Sequence, residues 1–176
     1  MRMTMLHKVM LVAIAGTLLF TLLAVPEVLC QDKGTNDPGY YNKRGVEFFN
    51  KGFYDHAPKN QAAEAELNYR YAIKEFKAAI ANDPSYAESH RNLARLYYVQ
   101  RDFGGAAQEY KKVTQLDPKD LDSYVNLALA LIELKEFDEA VGALESAKEQ
   151  TSDPKILYMF DTYITKVRIQ QAKGVR

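Results

Sequence analysis

The sequence predicts an all-α fold: a right-handed solenoid of antiparallel helix pairs. Three observations carry that prediction. Short segments return at an interval of 34 residues: Asn92-Leu93-Ala94 as Asn126-Leu127-Ala128, Asp102-Phe103 as Glu136-Phe137, and Asp83-Pro84 as Asp117-Pro118. A fixed period of this length marks a repeat architecture. Small residues recur at matched places, Gly45, Ala94 and Ala128 answered by Ala72, Ala106 and Ala140. Helix axes ~8–10 Å apart require small side chains at such crossings. The Asp-Pro pairs mark helix ends, because proline cannot continue a helix and biases the residue before it away from helical angles.

Taken in order, the chain opens on the basic lead Arg2, His7 and Lys8, then an uncharged run from Val9 to Val25, broken by Pro26. This is the layout of a secretory signal peptide. It is expected over residues 1–30, with cleavage before Gln31 and with Val28 and Cys30 at the recognition positions. An uncleaved anchor is the alternative, since the 17-residue run lies at the short end of the ~17–25 that a spanning helix needs. Both readings export the rest of the chain, into a periplasm or as a secreted protein. The absence of Asn-x-Ser/Thr sequons and the single cysteine lean towards the periplasm. With Cys30 alone there is no intrachain disulfide, which suits an oxidising compartment if the cysteine is removed. Lipidation of Cys30 is a third outcome, opposed by the large Leu29 before it.

Residues 31–39 are rich in turn formers and read as a flexible linker, and 40–173 read as one helical domain. Its helices are expected at about 38–54 and 61–82, 86–100 and 103–116, and 120–134 and 137–150, with a last one near 154–172. Asp55 to Asn60 reads as a loop. After it, the Ala/Glu-rich stretch from Gln61 runs without a breaker to Asn82, so the insertion mainly lengthens the second helix. It is either a tolerated surface extension or a lip or dimer contact through Leu67 and Tyr71. Gly104-Gly105 falls in a helix–helix turn, and Asp102 and Asp138 stand where a capping oxygen is wanted. In the last segment Ile156, Phe160, Tyr163 or Ile164, and Val167 recur at helical spacing behind Asp153-Pro154. A capping helix over the open apolar edge of the last pair fits best, because end repeats need a polar outer face.

The spacing resembles that of the tetratricopeptide repeat (TPR) family: an aromatic, Leu-Gly, Tyr, then Ala, Phe and Pro. One unit, 85–118, carries His90, Leu93-Ala94, Tyr97, Phe103, Ala106, Tyr110 and Pro118. The next, 119–152, carries Tyr124, Leu127-Ala128, Leu131, Phe137, Ala140, Leu144 and Ala147. An earlier unit, 38–84, fits through Tyr41, Gly45, Phe48, Gly52 and Tyr54, then Ala72, Phe76, Ala79 and Pro84, with about fifteen extra residues between the halves. The resemblance implies a non-enzymatic interaction module or adaptor that binds a protein or peptide in its concave groove, and the N-terminal segment adds that it is exported. The alternative is a structural or assembly subunit of a cell-envelope or secretion complex, held by its convex face or extended helix.

In this family the first helix of each pair lines the concave face. The groove positions it implies are Asn42, Val46, Phe49 and Asn50; Arg91, Asn92, Arg95 and Tyr98; and Val125, Asn126, Leu129, Ile132 and Glu133. Arg91, Arg95 and Tyr98 share one helix face and are suited to grip a carboxylate while the ring stacks on backbone. The alternative for the arginines is solvent exposure and pairing with Glu88. Chaperone-binding members hold a C-terminal carboxylate in a clamp of Lys, Asn and Arg, to which Arg91 and Asn92 are similar. The third unit departs from it, with Leu129 and Ile132 in place of the clamp cations. The row Val125–Leu129–Ile132 is either groove or surface covered by the last helix.

Other function classes find little support. The 23 basic and 23 acidic residues balance without a basic stripe, so no nucleic-acid partner is expected. A membrane is expected as a partner only if the N-terminal segment stays uncleaved or Cys30 is lipidated. No His-Glu-x-x-His, phosphate-cradling loop or Gly-x-Ser-x-Gly occurs. No catalytic residue, cofactor or metal is therefore expected. His56 and His90 are the only histidines past the leader, and His90 stands where the repeat wants a packing side chain.

Overall fold

The structure is a computed structural model and describes residues 36–59 and 61–174. The expected signal segment, Cys30 and most of the linker lie outside the described residues. Among the described residues seven α-helices follow one another: α1 Pro38–Asn50, α2 Ala62–Asn82, α3 Ala87–Val99, α4 Phe103–Leu116, α5 Leu121–Glu133, α6 Phe137–Lys148 and α7 Pro154–Gly174. Each packs on its successor, and α1 also touches α3. The described residues contain no strand, and none of their helices is long and apolar enough to cross a membrane.

The caps explain where the helices start. Pro38 opens α1, and Asp37 Oδ1 accepts from the Gly39 N–H at 2.9 Å. Asp102 and Asp120 cap α4 and α5, accepting from Gly105 and Ser123. Each oxygen satisfies a donor that has no partner inside the helix. At the other ends Asp83 and Asp117 turn out of helical geometry just before Pro84 and Pro118, the restriction that proline imposes on its predecessor. Two expectations are corrected. Asp138 lies inside the first turn of α6, where Glu136 is the cap residue. Gly104 and Gly105 belong to the first turn of α4 rather than to the turn before it.

Both tight turns end in the same motif. After α3 the Asp102 N–H reaches the Tyr97 carbonyl and the Arg101 N–H the Tyr98 carbonyl; after α5, Glu136 and Lys135 repeat this with Leu131 and Ile132. Arg101 and Lys135 take the left-handed conformation it requires, at φ 62° and 64°.

The expected loop at 55–60 is largely helical. The chain leaves α1 through a π-turn, Lys51–His56, and a 3₁₀ turn, Ala57–Lys59. Gly52 is buried there, and a Cβ on it would stand 2.7 Å from the Tyr69 ring. That close approach holds the π-turn against the lengthened start of α2.

The core follows the repeat. Ala72, Ala94, Ala106 and Ala140 are fully buried and Ala128 nearly so. Gly45 is buried as well, directly against the Phe76 ring. Phe76, Leu93 and Leu96 fill the first part of the core, while Tyr110, Leu131 and Leu144 lead into the second. Phe160, Ile164 and Val167 of α7 close that second part and are buried. His90 is buried with Nδ1 2.7 Å from Glu109 Oε2 and Nε2 3.1 Å from the Pro84 carbonyl, ties that bind α3 to α4 and to the preceding turn.

Candidate functional site

The first helices of the pairs, α1, α3 and α5, share one face of the solenoid, since side chains of all three meet in one hollow. It has a volume of about 200 Å³, and Phe49, Phe53, Tyr98, Tyr110 and Leu129 form most of its apolar lining. Phe49 and Phe53 stack at 5.6 Å, one helical turn apart, and Tyr98 meets Phe103 edge-on at 5.2 Å. Arg95 also lines the hollow, and its guanidinium lies over the Phe49 ring, 5.9 Å from the centroid.

A second hollow, of about 440 Å³, continues the face between α5 and α7. Val125, Leu129, Ile132 and Glu133 form one side, and Tyr163, Lys166 and Gln170 the other. Leu129 borders both hollows and remains 43% exposed. The last helix therefore flanks this row without sealing it.

The electrostatics follow burial. Tyr110 is pushed up to about 12, chiefly by burial, with Arg95 pulling the other way. Burial and then the Glu133 carboxylate raise Tyr98. Both phenols are neutral at physiological pH, so the floor of the first hollow carries no charge and Arg95 supplies the charge at its rim.

Not every expected groove residue reaches this surface. Asn42 is 4% exposed, and its Oδ1 accepts from Ser89 Oγ at 3.1 Å and Asn92 Nδ2 at 3.0 Å. Asn42 is thereby committed to joining α1 to α3, which corrects its assignment as an open groove contact, while Asn92 is half-buried and spends its Nδ2 on the same junction. Arg91 does not pair with Glu88: half-buried, it donates through Nε to Asp120 Oδ2 at 2.8 Å. Phe49, Arg95, Tyr98, Asn126 and Leu129 do meet around the first hollow, and Glu133 lines the second. Val46 packs against the core beside Phe49, and Asn50 is exposed on α1. Phe53, Tyr54, Val99 and Tyr110 line the first hollow without having been expected there. Extending the α1 face by one turn past Phe49 would have found Phe53.

The comparisons agree with this architecture. Residues 61–120 match one family model and residues 99–159 another, each described as tetratricopeptide repeat, and together they span more than half of the chain. The chain belongs to the tetratricopeptide repeat family.

As a TPR protein it has a curated relative in the heat shock protein STI1 of Saccharomyces cerevisiae, 31% identical over 101 residues. That match covers 56% of this chain and 16% of STI1, so the chain spans only a small part of its relative's length. Among solved structures, the TPR2B domain of yeast Sti1, in a complex with pHsp70, superposes with a TM-score of 0.58 at 20% identity. The match covers 76% of this chain and 97% of that one. The second TPR domain of human RPAP3, in complex with the HSP70 peptide SGPTIEEVD, gives 0.54 at 18% identity, covering 74% and 98%. At these identities the likeness is one of fold. Among the described residues of this TPR domain, no group of three or more His, Cys, Asp or Glu could hold a metal ion.

Proposed function

We propose that this TPR domain is a non-enzymatic interaction module that binds an extended peptide, or the tail of a partner protein, along its concave face. The observation that carries this is the run of two apolar hollows sharing Leu129. A chain laid across them would bury an exposed leucine and seat side chains on either side of it. The related folds described above were solved with Hsp70 segments, which supports a peptide as the ligand class. It does not extend to the same peptide, because Asn42 and Asn92 are bonded to each other and Arg91 to Asp120. The side chains similar to a carboxylate clamp thus already hold partners within the fold.

A photo-crosslinking residue in place of Leu129, introduced in the host cell, tests the reading. It should capture a partner that the same residue in place of Leu67 or Tyr71 does not. Capture from α2 alone would favour the second reading, a structural subunit of an envelope or secretion assembly. That reading has its own support, since Leu67 and Tyr71 are 49% and 46% exposed and Phe48 packs against Tyr71 at 5.2 Å.

We further propose that the repeats work outside the cytoplasm, in a periplasm or as a secreted protein, on the strength of the basic lead and apolar run of residues 1–30. Intact mass and N-terminal sequencing from the host test this. A start near Gln31 supports cleavage, a full-length chain in the membrane fraction supports an anchor, and added acyl mass on Cys30 supports a lipoprotein. A full-length chain in the cytosol overturns export.

A further inference from the structure

Charge complementarity narrows what the first hollow accepts. Arg95 is the one charged side chain among the described residues that line it. Neighbouring arginines are taken: Arg91 by Asp120 and Arg44 by Glu75 at 3.3 Å. Arg95 is exposed and has no carboxylate within ion-pair distance among the described residues. A guanidinium laid over an aromatic ring keeps its N–H edge turned outward, in the fork that matches a carboxylate. On the second hollow, beyond Leu129, Glu133 and Lys166 carry opposite charges. Arg95 is therefore the one cation along the two hollows that has no anion lining the same hollow, and an incoming carboxylate is drawn to its side.

Size and shape add the second element. The hollow of about 200 Å³ compares with the ~150 Å³ cavity that takes up one benzene ring. Its walls are ring faces and edges, Phe49 on Phe53 and Tyr98, and such surfaces prefer an offset or edge-on third ring. Asn126, half-buried at the rim, makes no side-chain hydrogen bond among the described residues. Its amide can both donate to and accept from a peptide backbone.

Resting on the groove reading above, we propose that this hollow selects a peptide segment in which an aromatic side chain stands beside an Asp or Glu. The ring enters between Phe49, Tyr98 and Leu129, and the carboxylate takes Arg95.

The test selects a random dodecapeptide library on the full chain, with the Leu129→Glu chain as counter-selection and circular dichroism to show that the variants are folded. Enriched peptides should pair an aromatic with an acid within two positions. In fluorescence anisotropy, changing that aromatic to Ala, which removes its ring packing, or the acid to its amide, which removes one charge-assisted contact, should each weaken binding about tenfold. In the Arg95→Gln chain the acid-to-amide change should cost almost nothing, while the aromatic still matters. Peptides that need Leu129 but lack the aromatic–acid pair overturn this inference and leave the groove reading standing. Peptides enriched only when the counter-selection is omitted, and bound equally by the Leu129→Glu chain, overturn both. Self-association that Leu129→Glu abolishes, seen by light scattering, would assign the hollow to a second copy of the chain and also overturn it.

Discussion

Arg91 on α3 is bonded to Asp120, the residue that caps α5, with Nε 2.8 Å from Oδ2. The same carboxylate accepts from Ser123 Oγ at 2.6 Å, so one side chain caps a helix and ties it to the previous pair. Arg91 is therefore a fastener between units two and three. Arg91→Ala should lower unfolding stability by about 1–2 kcal/mol, between the values of an exposed ion pair and a buried charged hydrogen bond. Denaturant titration measures the loss. Peptide affinity should stay within twofold of wild type, and a larger fall with unchanged stability would return Arg91 to the groove.

The two left-handed turn residues make a second prediction. Arg101 and Lys135 hold φ 62° and 64° at a place where glycine carries no steric penalty. For other residues that conformation costs roughly 1–2 kcal/mol. Part of the gain is returned through the looser unfolded chain. Arg101→Gly and Lys135→Gly should each stabilise the fold by up to about 1 kcal/mol, read as a raised melting temperature. A lowered one would mean that the long side chains matter more than the backbone.

Helix boundaries could be read from the sequence because proline, capping oxygens and small residues act locally and recur with the 34-residue period. The stretch from Asp55 to Lys59 was not readable in that way. Its helical continuation depends on Gly52 meeting the Tyr69 ring across the insertion, and no local propensity encodes that contact. The candidate site divides along the same line. Phe49, Arg95, Tyr98 and Leu129 follow from repeat position alone. The commitment of Asn42 to Ser89 and Asn92, and of Arg91 to Asp120, depends on partners 29 to 50 positions away. A local reading of Arg91 offers only Glu88, whose carboxylate instead accepts from the Tyr86 hydroxyl at 3.2 Å.

The small residues at the helix crossings can be tested directly. A Cβ on Gly45 would run into the Phe76 ring, itself fully buried and unable to retreat. Ala106 is likewise fully buried. Gly45→Ala and Ala106→Leu should each overpack the crossing at a cost of about 1–3 kcal/mol, measured as a shift in denaturant midpoint. An unchanged midpoint for Ala106→Leu would mean that α3 and α4 are not in close contact there.

Tyr110 links the hollow to stability at alkaline pH. Its pKa rises from 10.0 to about 12 in the fold, mainly because burial disfavours the phenolate. A group with its folded pKa raised contributes stability that is complete below the unfolded value. That stability is lost as pH climbs through the window from 10 to 12. With ~1.4 kcal/mol for each pH unit of the gap, the loss reaches about 2 kcal/mol by the top of the window. Tyr69, Tyr86, Tyr98 and Tyr124 are shifted in the same direction, each first by burial, so the wild type loses more than this one residue accounts for. Tyr110→Phe removes the ionisable group and keeps the ring in the floor of the hollow. Urea midpoints should therefore fall less between mildly and strongly alkaline buffer in the variant than in the wild type. Equal falls would show that the Tyr110 hydroxyl reaches water, and the floor of the groove would then be wetter than its packing implies.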